Sequence, residues 1–161
     1  MSGTSEFLLG EFQRTLDDRY RVAIPRELAE PLSAESAECI LAKERPGCLS
    51  LWSAAVWQAR WDEGVALIRQ KIRAGRLQEK IGQVQLFGRL LSTRHKAIPL
   101  AGRSRLLIPE GFRDFLGVEP NGELLILGAA VCVELWHPRA WNQYLEKQIP
   151  RFRKLFDRLT R

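Results

Sequence analysis

Leu16-Asp17-Asp18-Arg19-Tyr20-Arg21-Val22-Ala23-Ile24-Pro25 reads as a turn crowded with charge, then an apolar strand that stops at a proline and hands over to a helix. The layout returns at Leu100-Ala101-Gly102-Arg103-Ser104-Arg105-Leu106-Leu107-Ile108-Pro109, with Leu, the last Arg, Ile and Pro each displaced by 84 residues. The same displacement matches Leu32/Leu116, Glu35/Glu119, Leu41/Leu125, Cys48/Cys132, Leu51/Leu135, Trp52/Trp136 and Trp57/Trp141 with no insertion or deletion. Matching over so long a stretch points to a tandem duplication. The period is too long for a solenoid repeat, and each half is too small to bury a good core alone. The expected outcome is an intimate pairing of halves about a pseudo-two-fold axis.

Each half reads as strand, short helix, two strands, longer helix. In the first, residues 7–15 and 22–24 are predicted strands, the second entirely apolar, and Pro25 opens a helix over 26–32. Strands 39–43 and 48–52 form a hairpin across Arg45-Pro46-Gly47. Ser53 caps a helix on which Trp57, Trp61, Val65, Ile68 and Ile72 make one apolar stripe. Gly75 ends it, and a further helix is expected over 77–91.

In the second half, strands 124–127 and 131–136 pair across Gly128-Ala129-Ala130, after the turn Pro120-Asn121-Gly122. His137-Pro138 starts a helix that Pro150 kinks or restarts. Beyond it Phe152, Leu155, Phe156 and Leu159 lie opposite Arg151, Arg153, Lys154 and Arg158, an amphipathic basic helix. Docking on its own core or on a neighbouring subunit is favoured over a membrane-surface role. The division is 6–53 and 92–137 for the two halves, 54–91 for connecting helices and 138–161 for the basic helix.

Of 161 residues, 45% are apolar and 27% charged, values of a soluble globular protein. No run approaches the roughly 18 apolar residues of a membrane span, and Met1 to Glu6 lacks the order of a signal peptide. Three cysteines without a Cys-x-x-Cys point to a reducing cytoplasm. The net charge of +6 lies wholly in residues 85–161, with 13 basic and 7 acidic side chains against 12 and 12 before them. Such an excess suits a polyanionic partner, nucleic acid first, or a solubilising basic tail.

The basic turns are the strongest functional candidates. Arg19 and Arg21, and Arg103 and Arg105, stand two apart before a strand, a spacing that puts side chains of an extended segment on one face. Guanidinium forks suit phosphate oxygens and the O6/N7 edge of guanine. The second Arg of each copy also has a structural reading, Arg21 pairing with Asp17 or Asp18 to pin the turn. Asp17-Asp18 is read as turn-stabilising rather than catalytic, since the second copy has Ala101-Gly102. His95 and His137 have no ligand-spaced partner, so neither a metal nor a cofactor is expected. Cys48 and Cys132 read as buried free thiols and the repeated tryptophans as packing. No Gly-rich phosphate loop or Ser-His-Asp set points to an enzyme.

A duplicated Leu-Asp-x-(Lys/Arg)-x-Arg-apolar-Pro element, with Pro46-Gly47-Cys48-Leu49-Ser50-Leu51-Trp52, Val133-Glu134-Leu135-Trp136 and Trp141-Asn142-Gln143-Tyr144, resembles the MraZ family, whose halves are SpoVT/AbrB-like. The resemblance implies an α+β fold, two βαββ halves interleaved into a pseudo-two-fold β-barrel-like core with flanking helices. It implies a cytoplasmic, nucleoid-associated transcriptional regulator that binds short direct repeats of double-stranded DNA upstream of a division and cell-wall gene cluster. It also implies a homo-oligomeric ring of about eight to twelve subunits, with no small-molecule substrate and no membrane partner. The family's Asp and Arg map to Asp17 and Arg21, its intervening basic residue to Arg19, and the second basic pair to Arg103 and Arg105. The chain departs from the pattern at Ala101, which replaces the Asp, and at Tyr20 and Ser104, which replace a Gly suited to positive φ. A divergent ring scaffold that no longer reads DNA is the alternative.

Overall fold

The computed structural model describes residues 7–102 and 104–161; Arg103, one of the four arginines singled out above, lies outside them. The first half runs β1 (Glu11–Thr15), β2 (Arg21–Ala23), α1 (Arg26–Leu32), β3 (Glu38–Arg45), β4 (Cys48–Ser53) and α2 (Ala54–Arg73). After a 3-10 turn at Gln78–Lys80, α3 (Ile81–Arg94) leads into the second half. That half runs β5 (His95–Pro99), β6 (Arg105–Leu107), α4 (Glu110–Leu116), β7 (Glu123–Gly128), β8 (Val133–Trp136) and α5 (Pro138–Gln148). A 3-10 turn at Ile149–Arg151 and α6 (Phe152–Leu159) follow. The bounds of β1, β2 and α1 return 84 residues later in β5, β6 and α4.

Six strands form one antiparallel sheet in the order β1-β7-β8-β4-β3-β5. Exchanging the halves reverses this order into itself, so the sheet has pseudo-two-fold symmetry. Each half donates its first strand to the other: β1 pairs with β7 and β5 with β3. Neither half could therefore close its sheet alone, as its small size requires. The short strands β2 and β6 pair as a separate two-stranded ribbon. Ribbon and sheet face each other across one core, where Val22 and Leu106 meet Leu41, Leu49, Leu51, Ile126, Val133 and Leu135. The arrangement is open rather than a closed barrel.

The repeat is not gapless at the level of packing. Ile40 pairs with Trp52, whereas Leu125 pairs with Trp136, which makes Ile40, not Leu41, the counterpart of Leu125. Leu41 and Ile126 face the shared core, while Ile40 and Leu125 pack on the opposite face of the sheet. A one-residue offset reverses every side chain of a strand, so the sequence match of Leu41 with Leu125 joins residues on opposite faces. The extra residue before β7 is offset by a bulge between Lys43 and Arg45 in β3, after which the 84-residue step resumes.

Two aromatic clusters cover the other face of the sheet. Trp52 and Ile40 pack under Val56 and Trp57 of α2, and Trp136 and Leu127 under Trp141 and Tyr144 of α5. Ser53 and His137 start these helices by accepting N–H groups from Val56 and Arg139, at 3.2 Å and 3.1 Å. Between the clusters the indole of Trp52 donates to Ser50 Oγ and that of Trp136 to Glu134 Oε1, each at 2.9 Å. Burial pushes the Glu134 carboxyl above the ordinary carboxylate range. The predicted apolar stripe of α2 reaches the sheet only at its first turn; Leu67 and Ile72 are exposed, and no residue of α2 is fully buried. Length is the reason: α2 has 20 residues, about 30 Å at 1.5 Å per residue, far beyond the width of two strands.

Candidate nucleic-acid interface

In the first turn a single carboxylate organises the backbone. Asp17 Oδ1 accepts the N–H groups of Arg19 and Arg21 at 2.8 Å and 2.9 Å, and Oδ2 accepts Arg21 Nε at 3.0 Å. The main chain closes the loop, Asp17 N donating to Arg21 O at 2.9 Å. These bonds, the Arg21 N–H foremost, hold the Asp17 carboxyl below its ordinary value of 3.8. Of the two acids offered by the sequence it is thus Asp17 that engages Arg21.

The second turn keeps the main-chain frame without the carboxylate. Ala101 N donates to Arg105 O at 2.9 Å, and the Arg105 N–H, lacking a side-chain acceptor at 101, goes to Ala101 O at 2.9 Å. Gly102 takes the left-handed conformation here (φ +56°), and Tyr20 takes it in the first turn (φ +60°). The two turns are tied across the halves: Ile24 N donates to Ser104 O at 2.7 Å and Ile108 N to Tyr20 O at 2.9 Å.

The ribbon between the turns sorts its side chains by strand alternation. Val22 and Leu106 point into the core, and Arg21, Ala23, Arg105 and Leu107 occupy the outward face. Arg21 pairs opposite Leu107, and Arg105 opposite Ala23. The outward face therefore carries two guanidinium-bearing residues on one diagonal and two apolar residues on the other. Arg19 departs from the reading that set it beside Arg21 by strand alternation. It stands exposed in the turn, ahead of the left-handed Tyr20, and the strand begins only at Arg21. Arg103 lies outside the described residues.

Reading residues 22–24 as uniformly apolar hid the exposed pair Ala23 and Leu107, although the alternation Arg-Val-Ala and Arg-Leu-Leu carried the signal. Elsewhere cations serve packing: Arg60 lies 5.0 Å from the Trp52 ring centroid and Arg45 4.5 Å from that of Tyr144.

A protein-family model described as "MraZ protein, putative antitoxin-like" matches residues 98–161, which span the second turn and the basic tail. Relatives named "Transcriptional regulator MraZ" extend the similarity across both halves. That of Syntrophomonas wolfei is 24% identical over 94% of this chain and 96% of its own length. Those of Kocuria rhizophila and Acetivibrio thermocellus are 29% and 27% identical, each over the same share of both chains, 87% and 84%. With the doubled turn, the exchanged strands and the length of these matches in agreement, the chain is similar to the proteins named transcriptional regulator MraZ along most of its length.

Proposed function

We propose that this protein is a DNA-binding transcriptional regulator that grips duplex DNA with the outward face of the β2–β6 ribbon and its two flanking turns. The observation that carries this reading is the diagonal placement of Arg21 and Arg105 on one solvent-facing surface. A two-stranded ribbon fits the major groove, about 12 Å wide. There the arginines can fork onto guanine O6/N7, while the Ala23 and Leu107 side chains meet thymine methyl groups. Arg19 and Arg103, carried by the turns, are assigned to the backbone phosphates or to further base edges. The relatives' names support this role and a non-enzymatic one. Short direct repeats upstream of a division and cell-wall gene cluster are the proposed target.

The chain is also proposed to act as a homo-oligomeric ring, which would set several ribbons side by side and raise affinity through multivalency. Supporting this is the unpartnered apolar face of Phe152, Leu155, Phe156 and Leu159 on α6, exposed rather than docked on its own core. The test is binding-site selection from a random duplex pool, followed by salt titration on the selected sequence. Arg21→Ala and Arg105→Ala should each cost about 1–3 kcal/mol on that sequence and relax its base preference. A chain that binds every duplex equally, before and after these substitutions, would be the ring scaffold without sequence reading.

A further inference from the structure

The first turn holds a bulky aromatic where the backbone demands positive φ, and a residue of the other half braces it. Tyr20 has φ +60°, a conformation that side chains beyond Gly, Asn and Asp adopt rarely. Its carbonyl accepts Ile108 N–H at 2.9 Å. Its ring lies under Arg113 of α4, whose guanidinium carbon is 4.1 Å from the ring centroid. Arg113 is itself anchored: its Nε donates to Ile108 O at 2.9 Å. Tyr20, Ile108 and Arg113 thus form a closed set of contacts one residue away from Arg21. The brace has no counterpart, because the residue of α1 equivalent to Arg113 is Ala29 and the residue equivalent to Tyr20 is Ser104.

We infer that Arg113 is a positioning residue for the proposed DNA-reading turn: it locks Tyr20 in the left-handed conformation and thereby pre-sets Arg21, so that the two pseudo-equivalent turns act unequally. The first turn, pinned by Asp17 within and Arg113 from outside, meets DNA with its geometry already formed. The second, with Ala101 and Gly102 in place of Asp17 and Asp18 and Ala29 in place of Arg113, has neither the carboxylate nor the brace. Binding loses less free energy to ordering at a pre-formed site. The chain would therefore engage an asymmetric sequence in one orientation, despite the near symmetry of its fold. This inference rests on the DNA-reading role above for its consequence, though not for the brace itself.

Two measurements on the full-length protein test it. The first is amide hydrogen exchange of Arg113→Ala and of Arg113→Ala combined with Tyr20→Gly. Glycine takes positive φ without a brace. The Arg19 and Arg21 amides should exchange about tenfold faster in the single variant and return toward the parent rate in the double variant. The amides of β4 and β8 should stay unchanged in both. Unaltered turn exchange in Arg113→Ala, or a general loss of protection that Tyr20→Gly does not repair, would overturn the proposal.

The second measurement is affinity for the duplex selected from a random pool and for a scrambled duplex. Arg113→Ala should weaken only the selected one, by about tenfold, with the salt slope unchanged and with rescue by Tyr20→Gly. An equal loss on both duplexes with a slope smaller by about one would make Arg113 a phosphate contact and overturn the positioning role. If exchange behaves as expected while Arg21→Ala binds both duplexes like the parent, the brace stands and the DNA-reading assignment fails.

Discussion

Val22 lies directly opposite Leu106 in the ribbon, and each is the other's counterpart under the 84-residue repeat. The pseudo-two-fold axis therefore passes between them. It emerges on the far side of the core between Ser50 and Glu134, which are also paired and also 84 residues apart. One end of the axis is thus the outward ribbon face with Arg21 and Arg105. The other is a polar seam between two tryptophan clusters. A duplication that kept its axis through apolar residues at the ribbon kept both arginines on one side of the molecule.

Stability and the proposed recognition of DNA fall on two adjacent residues of the ribbon. Leu106→Ala removes a fully buried side chain at the axis and should cost about 2–5 kcal/mol. Leu107→Ala, at a position 51% exposed, should change stability by no more than about 0.5 kcal/mol while weakening binding to the selected duplex. Urea denaturation alongside a binding titration checks both.

Gly128 sits where the chain at Leu8 crosses β7. A Cβ there would stand 2.4 Å from the Leu8 carbonyl carbon and oxygen, which are backbone atoms with little room to yield. Gly128→Ala should therefore destabilise the fold by about 1–3 kcal/mol. Gly64 in α2 has open space around it, and Gly64→Ala should stabilise by up to about 1 kcal/mol through helix propensity. The two denaturation midpoints should move in opposite directions.

Glu134 gives the fold a pH dependence of definite sign. Burial raises its carboxyl above the ordinary 4.5, while the Trp136 indole opposes the shift. An acid whose folded pKa is raised favours the protonated chain, so its contribution is complete below about pH 4.5 and is lost as pH rises through the folded value. Glu134→Gln keeps an oxygen for the indole N–H and removes the charge. Its melting temperature should exceed the parent's at pH 7, with the gap closing in acid. A gap that widens in acid would refute the sign.

All three cysteines are free and buried. Burial pushes the Cys39 and Cys132 thiols up to about 11 and about 12, and Cys48 further still. At pH 8 the native protein should react negligibly with an aromatic disulfide reagent, because thiolate is the reacting form. Three thiols should appear on denaturation.

Phe152 and Phe156 are 71% and 59% exposed on α6. Replacing both with Glu should leave the melting of the core unchanged and shift the species seen by light scattering toward the single chain. An unchanged mass would remove α6 from the assembly contact.

Much of this fold could be read along the chain because its signals are local. Ser53 and His137 before their helices and the Asp17–Arg21 spacing act over a few residues, so composition and order suffice to find them. The duplication was equally legible, as it needs only the chain compared with itself. Alternation along Arg21-Val22-Ala23 stated which side chains would face outward, but an apolar reading of the whole strand obscured it.

What the amino-acid order by itself determined is two similar halves, a carboxylate-pinned turn in one of them, and a basic second half. What only the folded chain decided is which strands meet: β1 with β7, β5 with β3, β2 with β6. Alternation tells a strand which face to bury, not which neighbour to accept. That choice rests on pairing between distant segments, and on a shared core that neither half can enclose. The same distance hid the slipped register at Leu41 and the brace of Arg113 on Tyr20, since each joins residues of different elements whose meeting no local pattern encodes.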